Sequence, residues 1–271
     1  MTYWAGNRKT NGIDVSTPSV ARMYDWLLGG VENYAADREA CEELLRIVPS
    51  SRRLARGNRE FLQRVVRVLA QEYGIRQFID HGSGLPTQDN VHQIAQRADP
   101  GARVVYVDND PTVLAHGRAV LEEDDNTVVV AADIRDTDRI FAHPEVRGLI
   151  DYSQPVAALF VSVLHCLPDG DDPWALVRRV AGRLAPGSYL VVCQLVSDRA
   201  GVRTGVTDLM LAATRGRWGR VREKHEVSAF FEGLQILEPG LVDVTEWRPD
   251  TPLPAQAQDE EWVEWGGVAL L

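Results

Sequence analysis

The chain has 271 residues, of which 45% are hydrophobic and 25% charged, and its formal net charge is -10 at pH 7. This composition is that of a globular protein and excludes a disordered chain, while the acidic excess argues against broad binding to a phosphate backbone. The three cysteines show no Cys-x-x-Cys spacing, which excludes a zinc cluster and favours a reducing compartment. Neither an export signal nor a membrane-spanning run is evident, so we expect a cytoplasmic protein without a membrane anchor.

The first 74 residues carry only helical patterns. After a polar arm over 1–18, apolar residues at helical spacing fill 19–28 and stop at Gly29 and Gly30, residues that readily end a helix in a left-handed conformation. Two further helices are predicted over 36–47 and 51–73. We therefore predict an N-terminal arm and helical cap over 1–74, followed by the main domain over 75–271.

From residue 75 onward, short β-rich runs alternate with helical segments. The runs are 77–80, 103–108, 127–131, 156–163 and 189–195, and helices fit 88–98, 111–121, 173–184 and 227–234. This alternation predicts βαβ units with a parallel sheet covered on both faces. Late strands are predicted over 235–237 with 241–244, and over 267–271.

An acid and two glycines follow the first predicted strand. Asp80 ends the strand, and Gly82, Ser83 and Gly84 form the turn after it. Glycines at such a position allow tight backbone turns and let a ligand approach main-chain N–H groups. The motif alone is equally typical of a loop that binds nothing. Thr87 stands where the dinucleotide fingerprint has Gly or Ala, which argues against NAD.

Two more predicted strands also end in acids. Asp108, followed by Asn109, ends the second strand, where a ribose diol would bind, whereas Asp110 is better explained as a helix cap. Asp133 and Ile134 follow the third strand and suit an adenine amino group and ring, although Asp133 alone is equally typical of a loop. Ligands of open α/β sheets bind outside the carboxyl ends of the strands, so the three acids together indicate one site.

This set of residues resembles the class I S-adenosylmethionine-dependent methyltransferases over about 75–271. The resemblance implies a Rossmann-like, seven-stranded sheet and S-adenosylmethionine as cofactor, with Asp80 to Gly84 as the glycine motif, Asp108 on the ribose and Asp133 on the adenine. Segments 18–33, 53–61, 163–169 and 230–240 also resemble a bacterial family of uncharacterised S-adenosyl methyltransferase-like proteins. Pro86 departs from the general pattern, because it replaces the third glycine.

Further candidate residues follow the fourth strand and lie in the cap. Ser162, a candidate cofactor-binding residue, and His165 lie beside the expected methyl position, and His165 is a candidate general base with a structural or cofactor-lining histidine as the alternative. Tyr24 and Gly30 belong to a cap that would cover the cofactor, with ordinary helix packing as the alternative for Tyr24. One of Arg53, Arg56, Asn58 and Arg59 could pair with a carboxylate of cofactor or substrate, with solvated surface arginines as the alternative for most of them.

These patterns predict methyl transfer from S-adenosylmethionine to a small-molecule acceptor, with no metal implied. A non-catalytic cofactor-binding regulator and a nucleic-acid methyltransferase remain as alternatives. The basic segment 215–224 is compatible with an acidic or nucleotide-like substrate, but charge runs of this kind are usually solvated loops. The acceptor and the oligomeric state are open at the level of sequence.

Overall fold

A computed structural model of the chain describes residues 13–87, 89–120, 124–251 and 261–271. Its helices are α1 (Val20–Leu28), α2 (Ala35–Ile47), α3 (Ser51–Gln71), α4 (Val91–Ala98), α5 (Pro111–Val120), α6 (Thr137–Ala142), α7 (Pro144–Leu149), α8 (Pro173–Ala181), α9 (Ala200–Ala213) and α10 (Lys224–Ser228). Its strands are β1 (Gln77–His81), β2 (Arg103–Asp108), β3 (Thr127–Ala131), β4 (Ala157–Val161), β5 (Tyr189–Val196), β6 (Gln235–Ile236), β7 (Val242–Asp243) and β8 (Val263–Leu270). The predicted arm over 1–18 lies largely outside the described residues. No described helix is both long and apolar enough to cross a membrane.

One mixed sheet organises the molecule, in the order β3-β2-β1-β4-β5-β8-β6, with β7 also paired to β8. Strands β1 to β5 run parallel, and β8 runs antiparallel to its neighbours. The predicted Rossmann-like α/β architecture is confirmed. The sheet has eight strands where seven were expected, because β6 and β7 are two separate two-residue strands.

Helices cover both faces of the sheet because alternate strand residues point to opposite sides. Phe78 of β1 packs in one hydrophobic cluster with Phe61 and Leu69 of α3, whereas Ile79 packs in the opposite cluster with Leu176 of α8. Both faces of β1 and β5 are buried along their whole length. A ligand site must therefore lie at the ends of the strands rather than on a face of the sheet.

A third hydrophobic cluster joins the N-terminal helices to α9, which the sequence pattern did not predict. Met23 of α1 and Cys41 of α2 pack there with Val206 and Met210 of α9 and with Trp218. The division at residue 74 stays a prediction. In the structure α3 belongs to the layer on the sheet, and the helices preceding it share a core with residues that follow β5.

Several element boundaries differ from the sequence expectation for local physical reasons. Helix α4 starts at Val91 rather than at 88, because Asn90 and Gln93 form a capping box. Helices α6 and α7 fill the segment after β3 where no helix was predicted. Strand β8 starts at Val263, four residues before the predicted Gly267, since its first half pairs with the end of β5.

Candidate functional site

The turn after β1 is held tightly against the end of β2. Gly82 and Gly84 have φ of 79° and 68°, the left-handed region that glycine adopts without steric cost. The backbone N–H groups of Gly82 and Ser83 donate to the carbonyl of Val107 at 2.8 and 3.2 Å. A Cβ on Gly82 would collide with Val163 beyond β4, whereas a Cβ on Gly84 would meet nothing within 4 Å. Gly84 therefore borders open space, as the backbone in contact with a ligand should.

Asp108 lies under this glycine turn at the end of β2. Its Oδ2 accepts from the N–H of Gly84 and its Oδ1 from the N–H of Asp110, both at 2.9 Å. A carboxylate offers about four acceptor positions, so capacity remains for ribose hydroxyls. The side chain is 9% exposed, and burial raises its pKa. Asp108 thus joins the glycine turn to the position predicted for the ribose.

Asp133 is already saturated with hydrogen bonds. Its two carboxylate oxygens accept three bonds from Arg135 and one, at 3.3 Å, from the Asn109 amide. The Arg135 side chain holds the pKa of Asp133 below its ordinary value. Asn109 and Asp133 therefore lie together as predicted, but an adenine amino group would have to displace one of these donors. Ile134 is 7% exposed and packs in the sheet core.

Asp80 lies at the end of β1 and is 4% exposed. Burial raises its pKa to about 7, the charge of Arg59 on α3 opposes this rise, and the charge of Asp108 adds to it. Arg59 also donates to the carbonyl of Asp89 at 2.9 Å. A guanidinium and two carboxylates thus share the carboxyl edge of the sheet, where a zwitterionic group would find partners for both charges.

His165 and His81 are packed inside the protein. The ring of His165 is 3% exposed, accepts from the Leu195 N–H at 3.4 Å and lies 5.6 Å from the Trp218 ring. Burial and the charge of Arg222 lower its pKa to about 3, and burial lowers that of His81, stacked 4.3 Å from Phe160, to about 4. Such rings are weak bases, so the geometry favours the structural alternative for His165 over the general base.

The two predicted cap residues have different surroundings. The Tyr24 hydroxyl donates to the carbonyl of Ala55 and accepts from the Asn58 amide, both at 3.0 Å, and burial raises its pKa. Gly30 is exposed, and a Cβ there would collide with the carboxylate of Asp25. The requirement for glycine at position 30 is explained by this turn without any cofactor. The Tyr24 hydroxyl, in contrast, points from α1 to α3, which carries both Ala55 and Asn58.

Glu264 is a buried glutamate that the sequence pattern did not predict as a site residue, and it lies near Tyr24. Glu264 of β8 is 2% exposed, and its Oε1 shares a hydrogen bond with the Ser162 hydroxyl. The thiol of Cys193 faces the same carboxyl group and bonds to the Asn58 Oδ1 at 3.3 Å. Burial raises the pKa of Glu264 to about 8. The signal in the sequence was an acid within the apolar run that forms β8.

The cap touches the carboxyl edge of the sheet at several polar points. The hydroxyl of Ser19, just before α1, bonds to Asp110, and the Arg22 guanidinium reaches the Thr112 hydroxyl at 3.4 Å. Glu32 lies 3.2 Å from the His116 ring on α5. The cap therefore covers the end of β2, which is the position predicted for the ribose.

In the basic segment 215–224, residues 215–217 are exposed to solvent, whereas most of 218–224 is packed or ion-paired. Trp218 is 2% exposed and packs in the third cluster. Arg220 pairs with Asp169 at 2.8 Å and with Glu226 at 3.0 Å, and Arg222 is fully buried. Most of the positive charge of this segment is consequently neutralised within the molecule.

The residues present fit S-adenosylmethionine. Ser83 Oγ is buried and has no hydrogen-bond partner among the described residues, and it lies beside Gly84, which borders open space. Asp108 can accept hydroxyl donors, and Asp80 with Arg59 can hold an amino-acid end. The glycine turn, the acid of β2 and the acid–guanidinium pair together match the three parts of this cofactor.

A family model described as S-adenosyl methyltransferase matches residues 6–271. The chain belongs to this S-adenosyl methyltransferase family. The predicted recognition, with S-adenosylmethionine as cofactor and a methyltransferase as the class of enzyme, is therefore confirmed at the level of the family. The family does not specify the methyl acceptor.

Two solved structures share the fold along nearly the whole chain. A protein from Thermobifida fusca YX, provisionally named a methyltransferase, is 40% identical with a TM-score of 0.86, over 98% of this chain and 99% of its own. A DUF574 family protein from Streptomyces avermitilis MA-4680 is 38% identical with a TM-score of 0.86, over 95% and 98%. The trans-methyltransferase CalH, solved with S-adenosylhomocysteine, is 14% identical with a TM-score of 0.51. The similarity covers 92% of this chain and 68% of CalH, and it shows a shared fold alone.

A curated relative matches only part of the chain. A Mycobacterium ulcerans (strain Agy99) protein, provisionally named an S-adenosyl-L-methionine-dependent methyltransferase, is 27% identical over 153 residues. The match covers 55% of this chain and 44% of that relative, so it spans less than half of the relative's length.

Proposed function

We propose that this protein transfers a methyl group from S-adenosylmethionine to a small organic acceptor. The observation that carries the proposal is the arrangement at the ends of β1 and β2, where Gly84 borders open space and donates to Asp108. Asp108 would hold the ribose, Asp80 and Arg59 the amino-acid end, and Ser83 a polar atom of the cofactor. Ile134 and the Asn109–Asp133 pair would contact the adenine.

When bound, the cofactor supplies an activated methyl group on a sulfonium. Transfer of that group is an in-line displacement, which requires that the protein position the acceptor nucleophile and exclude water. The cap serves the second purpose in this proposal, since Tyr24 faces the interior and Ser19 and Arg22 fasten α1 to the edge of the sheet. The division into a cap over 1–74 and a methyltransferase domain over 75–271 is part of the same proposal.

A small acceptor is favoured over a nucleic acid by the distribution of charge. The net charge is -10. In the basic segment 215–224, Arg220 pairs with two acids, and Lys224 pairs with Asp198 at 3.0 Å. Binding to a phosphate backbone depends on unpaired cations that release counterions, and this segment offers few of them.

We also propose a cytoplasmic location, in keeping with three free cysteines, two of which are buried.

A screen with methyl-labelled S-adenosylmethionine tests the proposed activity. Small molecules with hydroxyl or amino groups, together with RNA and DNA oligonucleotides, are incubated with the full chain, and label transfer is measured. Label on a small molecule, with none on the oligonucleotides, is the expected result. Label on RNA or DNA alone would replace the small-molecule proposal with a nucleic-acid substrate. Tight cofactor binding without any labelled product would favour the non-catalytic regulator.

A further inference from the structure

Ser162 and Glu264 form a hydrogen-bonded pair at the end of β4. Ser162 directly follows β4 and has φ of 57°, an uncommon conformation for a residue with a side chain. Its hydroxyl bonds to Glu264 Oε1, while Glu264 Oε2 is buried without a hydrogen-bond partner among the described residues. A buried polar atom without a partner is costly, and backbone in this conformation is concentrated at functional sites.

This pair lies beside the glycine turn. Val163, the neighbour of Ser162, touches the position where Gly82 would carry a side chain. The charges of Glu264 and Asp108 both raise the pKa of the Cys166 thiol, so both carboxyl groups lie near Cys166. The charge of Glu264 likewise raises the pKa of Tyr24 on the cap. Ser162 and Glu264 therefore lie close to the glycine turn and to the predicted cofactor residues Asp108 and Tyr24.

We propose that Ser162 and Glu264 form the proton-accepting pair for the methyl acceptor, which carries its nucleophile as a hydroxyl or an N–H group. This inference rests on the proposed methyl transfer. As the bond between the nucleophile and the methyl carbon forms and the carbon–sulfur bond breaks, the acceptor proton passes to Ser162 Oγ. The proton of Ser162 passes to Glu264 Oε1 along the existing hydrogen bond. Ser162 touches the acceptor, and Glu264 acts through Ser162.

The charge state of Glu264 makes the pair responsive to the cofactor. Burial raises its pKa to about 8, the hydrogen bond from Ser162 and the adjacent Cys193 thiol oppose this rise, and the charge of Asp243 adds to it. Within the part of the chain that the structure describes, no lysine or arginine is among these influences. Glu264 is therefore mainly protonated at neutral pH, and a positive charge entering the space beside Ser162 should ionise it.

Proton release on cofactor binding tests this proposal without any acceptor. S-adenosylmethionine carries a positive sulfur and S-adenosylhomocysteine a neutral one, while both carry the same amino-acid end. Calorimetric titration of the full chain in buffers of different ionisation enthalpy counts the protons released by each. At pH 7.5 a carboxyl group with a pKa of about 8 holds about three quarters of a proton, so we expect S-adenosylmethionine to release roughly 0.5 to 0.7 proton more than S-adenosylhomocysteine.

Three variants identify the source of this proton. In Glu264→Gln the difference between the two ligands should vanish. In Ser162→Gly, which suits the left-handed backbone, the release should persist but shift to higher pH, because the serine hydrogen bond lowers the pKa of Glu264. Glu261→Gln is the matched control: Glu261 forms a Glu–Ser pair with Ser50 at 2.7 Å outside the site, and the difference should persist unchanged.

The outcomes separate this proposal from the function on which it rests. Binding of both ligands with equal proton release in the unmodified chain, or a difference that survives in Glu264→Gln, would overturn the proton-accepting pair alone. Failure of the unmodified chain to bind either ligand would overturn the proposed function as well. If Glu264→Gln fails to fold in a thermal melt, the pH shift expected of Ser162→Gly decides the matter, and an unshifted profile overturns the proposal.

Discussion

At the level of single residues, Asp108 connects the glycine turn to the predicted ribose position. Asp108→Asn keeps the size of the side chain but replaces one acceptor oxygen with a donor, so it should weaken binding of S-adenosylhomocysteine by about 1–3 kcal/mol. Calorimetry measures this loss. Asp138→Asn is the control, because Asp138 is 86% exposed and pairs with Arg183 on the surface. Unchanged affinity in a folded Asp108→Asn protein would reduce Asp108 to a residue that orders the turn.

Asp80 gives a prediction for stability against pH in the absence of cofactor. Its pKa is raised from 3.8 to about 7, so between these values the folded chain binds more protons than the unfolded chain. The contribution of Asp80 to the free energy of unfolding therefore falls as pH rises from about 4 to 7. Asp80→Asn removes this fall, and the variant should gain stability relative to the unmodified chain between pH 5 and pH 8.

Urea unfolding of both proteins at pH 5, 6.5 and 8 measures the effect. The difference between variant and unmodified chain is the quantity to follow, because His81 and His165 have lowered pKa values and act in the opposite direction as pH falls. A gain of at least about 1 kcal/mol at pH 8 over pH 5 is expected, since one pKa unit corresponds to about 1.4 kcal/mol. A difference that is constant across pH would show that Asp80 is ionised in the folded protein.

At the level of elements, the two glycines of the turn after β1 should respond differently to substitution. Both have positive φ, which costs a residue with a side chain about 1–2 kcal/mol. Gly82→Ala adds a collision with Val163, whereas Gly84→Ala projects a methyl group into open space. Gly82→Ala should therefore destabilise the fold more, and Gly84→Ala should mainly reduce cofactor affinity. Equal stability losses together with full cofactor binding by Gly84→Ala would contradict this account of the turn.

The cap helix α1 should unfold together with the rest of the molecule. Met23 is 3% exposed and shares its cluster with α2 and α9, so Met23→Ala should cost about 2–5 kcal/mol of unfolding free energy. Val31→Ala, at a side chain that is 84% exposed, is the control and should cost little. Tryptophan fluorescence and far-UV circular dichroism should report one coincident transition. Two separate transitions would show instead that the cap is an independent lid.

Elements with a strong local pattern were predicted closely from the sequence, among them three strands and the helices α1, α2 and α5. β1, β2 and β3 were predicted within one residue, because a parallel strand buried on both faces is a continuous apolar run. Helix α9 was missed because only Val206 and Met210 are buried along its 14 residues, which leaves a weak periodic pattern. Its position depends on packing against α2, a contact distant in sequence.

The same distinction applies to the candidate site. The acids Asp80 and Asp108 were predicted because each ends a strand and sequence order places the strand ends together. Glu264 was missed because an acid within a strand gains meaning only when β8 pairs with β5, opposite Leu195, and brings the carboxyl group to Ser162. The burial of His165 depends on Trp218, about fifty residues later, and no local pattern shows it.

At the level of the whole molecule, the site is closed by parts of the chain that are far apart in sequence. The sheet supplies Asp80 and Asp108, α3 supplies Arg59, and the cap packs on α9 through the third cluster. Both solved structures with 38–40% identity follow this chain over at least 95% of its length, so the cap belongs to the shared fold. Recognition of the cofactor is accordingly expected to be a property of the complete chain.

Isothermal titration of the full chain with S-adenosylhomocysteine and, separately, with NAD tests the central claim most directly. The turn at Gly82 to Gly84 and the acid Asp108 are compatible with either ligand by position. Thr87 departs from the dinucleotide fingerprint, however, and α4 starts only at Val91, so its N-terminus does not follow directly on the glycine turn as pyrophosphate binding requires. We predict that S-adenosylhomocysteine binds with a Kd of roughly micromolar order and that NAD shows no heat of binding at millimolar concentration. Binding of NAD without binding of S-adenosylhomocysteine would contradict the account.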